Sequence, residues 1–266
     1  MDAVVMAAGE GSRLRPLTER WPKPVLPIDG RPVIATLLRE LASAGCARVV
    51  VVTGHLAEQV EELVGDGSAF GLEIVFVRQP GVLGSADTVI RALAAGAEPP
   101  LLVTAADTVY TRGDVRHVLD AYAASGAAGA LAGRRDPPPV PAHRDGLSIV
   151  DGFVRKVVDD DPATELGSAP LWILGPELIR FLDDLSGPPF ELADVFKRAL
   201  ESNLPIAGIE IRRTRDLTRP VDLVEENFPY LSHERIDLQP LPERPRAPEA
   251  GDARAGDGGA GEGEEA

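Results

Sequence analysis

Short apolar runs alternate with helical patterns along the first 110 residues of the chain. Runs at 3–6, 48–53, 72–77 and 100–104 are apolar on both faces, which predicts four buried strands. Apolar residues at helical spacing between these runs predict helices over 32–44, 56–64 and 85–95. Buried strands separated by helices indicate an α/β fold, with a mainly parallel sheet that is flanked by helices on both sides.

The pattern is weaker after residue 130 but still predicts elements. A hairpin is expected over 147–158, where Asp151-Gly152 supplies the turn. The remaining predictions are strands at 169–174 and 206–211 and helices at 176–185, 192–203 and 221–231. We therefore predict one domain over 1–231, divided into halves at 1–110 and 111–231.

The composition changes from about residue 232 onward. Proline-rich sequence leads into a run of Gly, Ala, Glu and Asp that ends the chain, without apolar periodicity. Such a segment buries too little apolar surface to offset the entropy of ordering it. Residues 232–266 are therefore predicted to be a disordered Pro/Gly/acidic tail.

Composition and charge exclude several classes of function. The formal net charge of −15 argues against nucleic acid or an anionic membrane as a partner of the whole surface. The single cysteine, Cys46, excludes an internal disulfide framework and a Cys-rich zinc site, and we expect it to be an inert apolar residue. No apolar run approaches the roughly 20 residues of a membrane span, and no basic segment precedes the first strand. These features predict a cytoplasmic protein.

The segment that follows the first predicted strand carries the chemistry. A strand that ends in a glycine-rich loop presents backbone N–H groups to a phosphate, and Gly9 and Gly11 permit the dihedrals such a loop needs. Arg13 offers a fork of donors, and Lys23 is held between two prolines. The glycine spacing fits neither the P-loop nor the GxGxxG fingerprint, which disfavours a dinucleotide oxidoreductase. The residues together indicate a bound polyphosphate.

The loop resembles the signature of a known enzyme family. The run Gly9-Glu-Gly-Ser-Arg-Leu-Arg-Pro-Leu-Thr18, followed by Pro22-Lys23-Pro24, is similar to GxGTRLxPLT…PK of the sugar-1-phosphate nucleotidyltransferases, with Ser12 in place of threonine. The likeness extends over about 1–231 through these further runs: Gly65-Asp-Gly-Ser-Ala-Phe-Gly-Leu72, Gln79-Pro80, Leu83-Gly-Ser-Ala-Asp87, Ala105-Ala-Asp107, Glu191-Leu-Ala-Asp194 and Arg215-Asp-Leu-Thr-Arg-Pro220. It implies a Rossmann-like nucleotidyltransferase domain whose second half binds the sugar phosphate.

The resemblance assigns roles in nucleotide binding. Arg13 and Lys23 match the residues that activate the α-phosphate of the nucleoside triphosphate. The loop that wraps this nucleotide corresponds to Ala8, Gly9, Gly11 and Ser12. The base would be bound by Gln79, and Gly84 would lie beside the base or the ribose.

A magnesium site is also implied by the family's motifs. Asp107 matches the aspartate after the fourth strand that binds Mg²⁺, and Asp216 matches the second carboxylate of that site. The residue types suit the ion, because Mg²⁺ prefers oxygen ligands from carboxylates, phosphates and water. Positioning, a divalent metal and fixed cations supply most of the catalysis when one phosphate attacks another.

The second half departs from the family. The Glu-Lys-Pro segment that contacts the sugar phosphate in the family is replaced by the stretch around Lys156. Two interpretations stay open: Lys156 takes the place of the missing lysine, offset by several residues, or the contact is absent. We assign sugar-phosphate binding to Lys156 on the first of them. Asp159, Asp160 and Asp161 are interpreted as a solvated turn. His55 is interpreted as a loop histidine with a local partner, since no second histidine lies at a metal-ligand spacing.

The function implied by the resemblance is nucleotidyl transfer from UTP or dTTP to a sugar-1-phosphate resembling glucose-1-phosphate. The products would be a nucleoside diphosphate sugar and pyrophosphate. Two alternatives stay open: a cytidylyltransferase that acts on a non-sugar phosphate, and a non-catalytic regulatory subunit with the same fold. The sequence does not identify the base or the sugar, and it is compatible with a homo-oligomer.

Overall fold

The computed structural model describes residues 1–135, 145–158, 163–183 and 185–228. Met1–Ser232 form one compact unit. The predicted tail over 232–266 and the predicted turn at Asp159–Asp161 lie outside the described residues, so both stay predictions. The boundary of the domain at 231 stays a prediction for the same reason.

The strands belong to one large sheet and two small ribbons. They are β1 (Asp2–Ala7), β2 (Pro27–Ile28), β3 (Arg31–Pro32), β4 (Arg48–Thr53), β5 (Glu73–Arg78), β6 (Leu101–Ala105), β7 (Thr108–Val109), β8 (Gly129–Arg134), β9 (Gly146–Val150), β10 (Phe153–Val158), β11 (Leu166–Leu174), β12 (Ile206–Glu210) and β13 (Arg215–Asp216).

The α-helices are α1 (Val33–Ala44), α2 (Ala57–Val64), α3 (Ser85–Ala94), α4 (Asp114–Ser125), α5 (Leu192–Glu201) and α6 (Pro220–Asn227). Short 3₁₀ helices occupy Ser12–Leu14, Leu17–Glu19, Lys23–Val25, Ser68–Phe70 and Pro176–Leu182.

The first half of the large sheet is parallel. The full order is β5-β4-β1-β6-β11-β8-β12-β10-β9, and the first four strands in it pair in parallel. Their carboxyl ends therefore meet at one edge of the sheet, which is where open α/β sheets bind ligands. The loops after β1, β5 and β6 carry Gly9, Gln79 and Asp107, so this edge gathers residues that are far apart in sequence.

The second half of the sheet is mixed. Strand β11 runs antiparallel to both β6 and β8, whereas β12 runs parallel to β8. Strands β9 and β10 form the predicted hairpin, with Asp151 and Gly152 between them at positive φ. The predicted α/β sheet is thus confirmed, with antiparallel pairs introduced by β11 and by the hairpin.

Helices cover both faces of the sheet. One buried cluster joins alternate strand residues such as Val5 and Val51 to α1, α2 and α4. The other cluster joins Val4 and Val50 to α3 and α5, with Phe196 fully buried. Neighbouring strand residues point to opposite faces, so strands that are apolar throughout fit a sheet covered on both sides.

The sequence did not predict α4 or β8. The apolar residues of α4 that pack against the core at helical spacing are Val115, Val118, Leu119 and Tyr122. The pattern of α4 is therefore present in the sequence and was missed. Strand β8 consists mostly of Gly and Ala, which have low strand propensity. A small residue is required there, because a Cβ added at Gly129 would lie 2.7 Å from the Ile173 carbonyl oxygen. Close packing therefore selects residues that carry little strand signal.

One predicted helix was wrong in type and length. The segment predicted as a helix over 176–185 forms a 3₁₀ helix that ends at Leu182. Helix α6 begins at Pro220, and residues beyond 228 lie outside the described part of the chain. The other predicted helices and strands agree with the structure to within a few residues at their ends.

Cys46 is buried, as predicted, and burial raises the pKa of its thiol, so it stays protonated at neutral pH. Within the described ranges, none of the helices has the length and apolar character needed to cross a membrane.

Candidate active site

The glycine-rich loop turns sharply after β1. Gly11 has φ +62, and a Cβ at this position would lie 2.9 Å from Thr18 Cγ2. The Gly11 carbonyl accepts a hydrogen bond from Thr18 Oγ1 at 2.9 Å. The backbone therefore needs glycine here both for its conformation and for the close approach of Thr18.

A second layer supports this loop. Thr18 is buried, and its carbonyl oxygen lies 2.6 Å from His55 Nε2. The backbone N–H of His55 donates to the Ala8 carbonyl at 3.3 Å. His55 thus links two turns of the loop, which confirms the interpretation of a histidine with local partners.

The loop forms one wall of a first cleft of about 230 Å³. Arg13 lies on its rim as an exposed side chain, and within the described part of the chain no carboxylate pairs with it. Its donors are therefore available to a ligand. The residues that line the first cleft are Met6, Ala7, Gly9, Gly11, Ser12, Arg13, Leu14, Lys23, Pro24, Ala105, Asp107, Leu217 and Thr218.

Lys23 and Asp107 form an ion pair in the first cleft. The Lys23 Nζ lies 2.5 Å from Asp107 Oδ2, and the side chains are 13% and 31% exposed, respectively. Lys23 opens a 3₁₀ helix between Pro22 and Pro24, which restricts the backbone that carries it. A compact cation is thus fixed beside the carboxylate at the end of β6.

The structure pairs the segments that carry the two predicted metal ligands, Asp107 and Asp216. In the β7–β13 ribbon, Asp216 is the register partner of Thr108, the residue that follows Asp107. Thr218 Oγ1 donates to Asp216 Oδ1 at 2.9 Å. Asp107 and Asp216 belong to elements 109 residues apart, and antiparallel pairing places their backbones side by side.

Asp216 stands on an anchored segment. The neighbouring Arg215 bonds to Asp29 through Nη1 at 2.5 Å and to Glu226 through Nε at 2.5 Å. The hydrogen bonds from Arg215 hold the pKa of Asp29 below its usual value. These contacts fix β13 against the β2–β3 turn and α6, so the carboxylate of Asp216 has a rigid support.

Asp107 and Asp216 suit a cation whose other ligands are oxygens of water and substrate phosphates. Among the described residues, no group of three or more His, Cys, Asp or Glu side chains forms a metal cage. Mg²⁺ is commonly held by one or two carboxylates together with substrate phosphates and water. Asp107 lines the first cleft beside two cations, whereas Asp216 lies on the paired segment and is absent from the described lining, so a metal site shared by the two aspartates stays a prediction.

A second cleft of about 190 Å³ adjoins the first, and the two share Met6 and Gly9. Gln79 enters it from the end of β5, and Gly84 enters from the start of α3. Its lining residues are Met6, Ala8, Gly9, Gln79, Val82, Gly84, Ser85 and Thr88. Each residue predicted to bind the nucleotide therefore lines one of two adjoining clefts.

The loop before α3 is held against the start of α5. The Ala86 N–H donates to the Phe190 carbonyl at 2.9 Å, and the Phe190 N–H donates to the Leu83 carbonyl at 2.8 Å. Gly84 lies between these bonds with φ +96, and a Cβ there would lie 2.2 Å from the Phe190 carbonyl oxygen. Only glycine fits at this position.

Gly84→Ala is expected to lower the free energy of unfolding by about 1–3 kcal/mol, through a steric clash with Phe190 and an unfavourable φ. Gly81→Ala is the matched control, because Gly81 lies in the same loop with open space around its Cα and no positive φ. Urea denaturation of both variants measures the difference. Equal stability of the two variants would contradict this packing.

Lys156 lies outside both clefts. It lies on the exposed face of β10 opposite Ser148, beyond a register shift in the hairpin. It is absent from the described lining of both clefts. Its predicted contact with a sugar phosphate stays a prediction.

Three residues of the site were not assigned a role from the sequence. Thr18 holds Gly11, Thr218 lines the first cleft and bonds Asp216, and Asp87 bonds Gln79. Each lies in a run that carries the family resemblance, but such a run does not show which of its members make contacts across the fold.

The chain resembles known nucleotidyltransferases over much of its length. The family model described as nucleotidyl transferase matches residues 2–141. A UTP–glucose-1-phosphate uridylyltransferase of Synechocystis is 26% identical over 230 residues, which is 79% of this chain and 58% of that protein. A CMP-5'-(3-aminopropyl)phosphonate synthase of Streptomyces rubellomurinus is 36% identical over 188 residues, which is 67% of this chain and 29% of that protein. This chain thus spans between about a third and three fifths of the length of these two relatives.

The fold is similar to that of a solved UDP-glucose pyrophosphorylase. The solved structure of a UDP-glucose pyrophosphorylase from Acinetobacter baumanii superposes with a TM-score of 0.74 at 18% identity, covering 88% of this chain and 94% of that one. The family match includes the glycine-rich loop, Lys23, Gln79 and Asp107. Because the family model matches more than half of its length, the chain belongs to the nucleotidyl transferase family.

Proposed function

We propose that this protein transfers a uridylyl or thymidylyl group from UTP or dTTP to a sugar-1-phosphate resembling glucose-1-phosphate. The products are a nucleoside diphosphate sugar and pyrophosphate. The observation that carries the proposal is that the first cleft holds Arg13, Lys23 and Asp107 and adjoins the second cleft with Gln79. A triphosphate in the first cleft can therefore place its base in the second.

The cations of the first cleft suit the triphosphate. Arg13 is exposed on the rim, and its planar fork can donate to two phosphate oxygens at once. Lys23 is mostly buried and presents a compact positive charge from a restricted backbone. We assign Arg13 to binding of the triphosphate and Lys23 to the α-phosphate, where negative charge builds up during transfer.

The reaction is an in-line displacement at phosphorus. An oxygen of the sugar phosphate forms a bond to the α-phosphorus, and the bond from the α-phosphorus to the oxygen that bridges to the β-phosphate breaks. Pyrophosphate leaves with the electron pair of the broken bond. Two anions must approach each other in this step, so fixed positive charge and positioning account for most of the catalysis. The step requires no covalent nucleophile.

Asp107 and Asp216 are proposed to hold Mg²⁺ together with phosphate oxygens. When bound, this ion neutralises charge on the triphosphate and draws electron density from the α-phosphorus. Lys23 stays beside Asp107 and balances part of the carboxylate charge. Asp107 and Asp216 would thus hold the ion beside Lys23, whose ammonium lies next to Asp107.

The choice of base rests on the relatives. The Synechocystis relative is a UTP–glucose-1-phosphate uridylyltransferase, which supports a uracil-type base and a glucose-type acceptor. A second candidate is cytidylyl transfer to a non-sugar phosphate or phosphonate, which is the type of product that the name of the CMP-5'-(3-aminopropyl)phosphonate synthase indicates for that relative. The two candidates share the α-phosphate chemistry and differ in the base and in the acceptor.

Pyrophosphate release tests the proposal. The full chain with Mg²⁺ is incubated with each of the common nucleoside triphosphates and a panel of sugar-1-phosphates, with 3-aminopropylphosphonate as a further acceptor. We expect release with UTP or dTTP that depends on a hexose-1-phosphate. Release only with CTP would favour the second candidate, and nucleotide binding without any release would indicate a regulatory subunit.

A further inference from the structure

Gln79 is a buried amide at the wall of the second cleft. Gln79 is 6% exposed. Its backbone N–H donates to the Thr53 carbonyl at 2.8 Å, and this bond extends the pairing of β4 and β5. A buried amide has two donors and one carbonyl oxygen to satisfy. Which of these groups faces the cleft decides which base edge it can bind.

The neighbours of Gln79 determine the orientation of its amide. Gln79 Nε2 donates to Asp87 Oδ2 at 2.7 Å and to the Gly84 carbonyl at 3.3 Å. Asp87 is in turn paired with Arg91, whose Nε lies 2.6 Å from the same Oδ2. Two acceptors surround this side of the amide, so the nitrogen and not the oxygen must face them.

The amide oxygen is left without a partner. Among the described residues, no side chain and no backbone N–H donates a hydrogen bond to Gln79 Oε1. A buried carbonyl without a donor carries a desolvation cost, which a ligand N–H can remove. The second cleft therefore presents an acceptor at this position.

We propose that Asp87 is a positioning residue that fixes the Gln79 amide, so that its oxygen accepts a hydrogen bond from the ring N3–H of the nucleotide base. The inference rests on the proposed function, in which the base is uracil or thymine. Each of these bases has a single N–H donor available for hydrogen bonding once it is attached to ribose, and that donor is N3–H. An acceptor in the cleft can pair with no other group of the base.

The same arrangement discriminates against cytosine. The N3 of cytosine carries a lone pair and no proton, so it would place an acceptor against Gln79 Oε1. The amide cannot turn over to offer its nitrogen, because Asp87 and the Gly84 carbonyl hold that nitrogen. Asp87 thus contributes to base selectivity without contacting the base.

Calorimetric titration of UTP and CTP into the full chain tests this proposal, and the readout is the ratio of the two dissociation constants. We expect the wild-type protein to bind UTP about tenfold more tightly than CTP, because CTP leaves a buried acceptor unpaired. In Asp87→Ala only the longer bond to the Gly84 carbonyl, at 3.3 Å, holds the amide nitrogen, so the amide can turn and the ratio should fall to within about twofold of unity. Asp87→Leu has no acceptor and is larger, and it should give the same result if the alanine variant does not fold.

Two further variants separate positioning from structural damage. Asp87→Asn should keep the wild-type ratio, because its amide oxygen can take the place of Oδ2 and accept from both Gln79 and Arg91. Asp2→Ala removes a comparable ion pair with Arg48 at the opposite end of the sheet and should also keep the ratio. A general loss of stability would weaken the binding of UTP and CTP equally and leave their ratio unchanged.

An unchanged ratio in a folded Asp87→Ala or Asp87→Leu variant overturns the role of Asp87. Equal or tighter binding of CTP by the wild-type protein overturns the pairing with N3–H. If the wild-type protein binds neither nucleotide and releases no pyrophosphate, the proposed function fails and the inference fails with it. Pyrophosphate release with UTP, together with an unchanged ratio, shows that the function holds and the inference alone is wrong.

Discussion

Asp107→Asn is expected to lower kcat by at least about a hundredfold while the protein stays folded, because the loss of a metal ligand removes several kcal/mol of transition-state stabilisation. Asp107 follows β6 and lines the first cleft, and the residue after it pairs with Asp216. The amide is nearly the same size but carries no charge, so it binds Mg²⁺ weakly. Steady-state pyrophosphate release measures the effect.

The dependence on Mg²⁺ distinguishes a metal ligand from a simple partner of Lys23. If Asp107 holds the ion, the variant should need a higher Mg²⁺ concentration for half-maximal rate, and Asp216→Asn should shift the requirement in the same direction. Asp2→Asn, which alters an ion pair of similar exposure away from the clefts, should behave as the wild type. An unchanged kcat and Mg²⁺ requirement in Asp107→Asn would disprove the metal site.

Lys23→Ala is expected to reduce kcat by about a hundredfold, with nucleotide affinity nearly unchanged, because the lost contact is made chiefly in the transition state. Lys23 is held by two prolines and paired with Asp107, so its charge is directed toward one point in the first cleft. Steady-state kinetics gives kcat, and calorimetric titration of the nucleotide gives the dissociation constant.

Two variants control the Lys23 experiment. Lys23→Arg should recover only part of the rate, since a planar fork does not replace a compact ammonium. Arg15→Ala removes an exposed cation of the same loop that pairs with Glu10 and lies outside the lining of the first cleft, so its kcat should match the wild type. A kcat within twofold of wild type for Lys23→Ala would make Lys23 a structural residue.

The parallel half of the fold is predictable because its signals are local. Strand β4 is a run of Val, and α1 carries apolar residues at helical spacing before Gly45, whose φ of +93 ends the helix. The second half is less predictable, because packing there selects against residues with strong propensity. In strand β8, a Cβ at Gly129 would clash with the Ile173 carbonyl oxygen, so packing requires a residue that has low strand propensity.

The site shows the same division between local and long-range information. The motif positions gave Gly9, Lys23, Gln79 and Asp107, and the order of strands explains why they meet at one edge of the sheet. The contact between Asp87 and Gln79 depends on how α3 packs against β5, and no periodicity in the sequence encodes it. Residues that carry chemistry can therefore be predicted from motifs, whereas residues that orient them, such as Asp87, require the structure.

The central claim is that an oxygen of a sugar-1-phosphate attacks the α-phosphorus of a nucleoside triphosphate. The measurement that tests it most directly follows ¹⁸O from labelled glucose-1-phosphate, incubated with UTP, Mg²⁺ and the full chain, into the products by mass spectrometry. We predict equal amounts of UDP-glucose and pyrophosphate, with all of the label in the UDP-glucose and none in the pyrophosphate. Label in the pyrophosphate, or hydrolysis of UTP with the glucose-1-phosphate left unchanged, would contradict the claim.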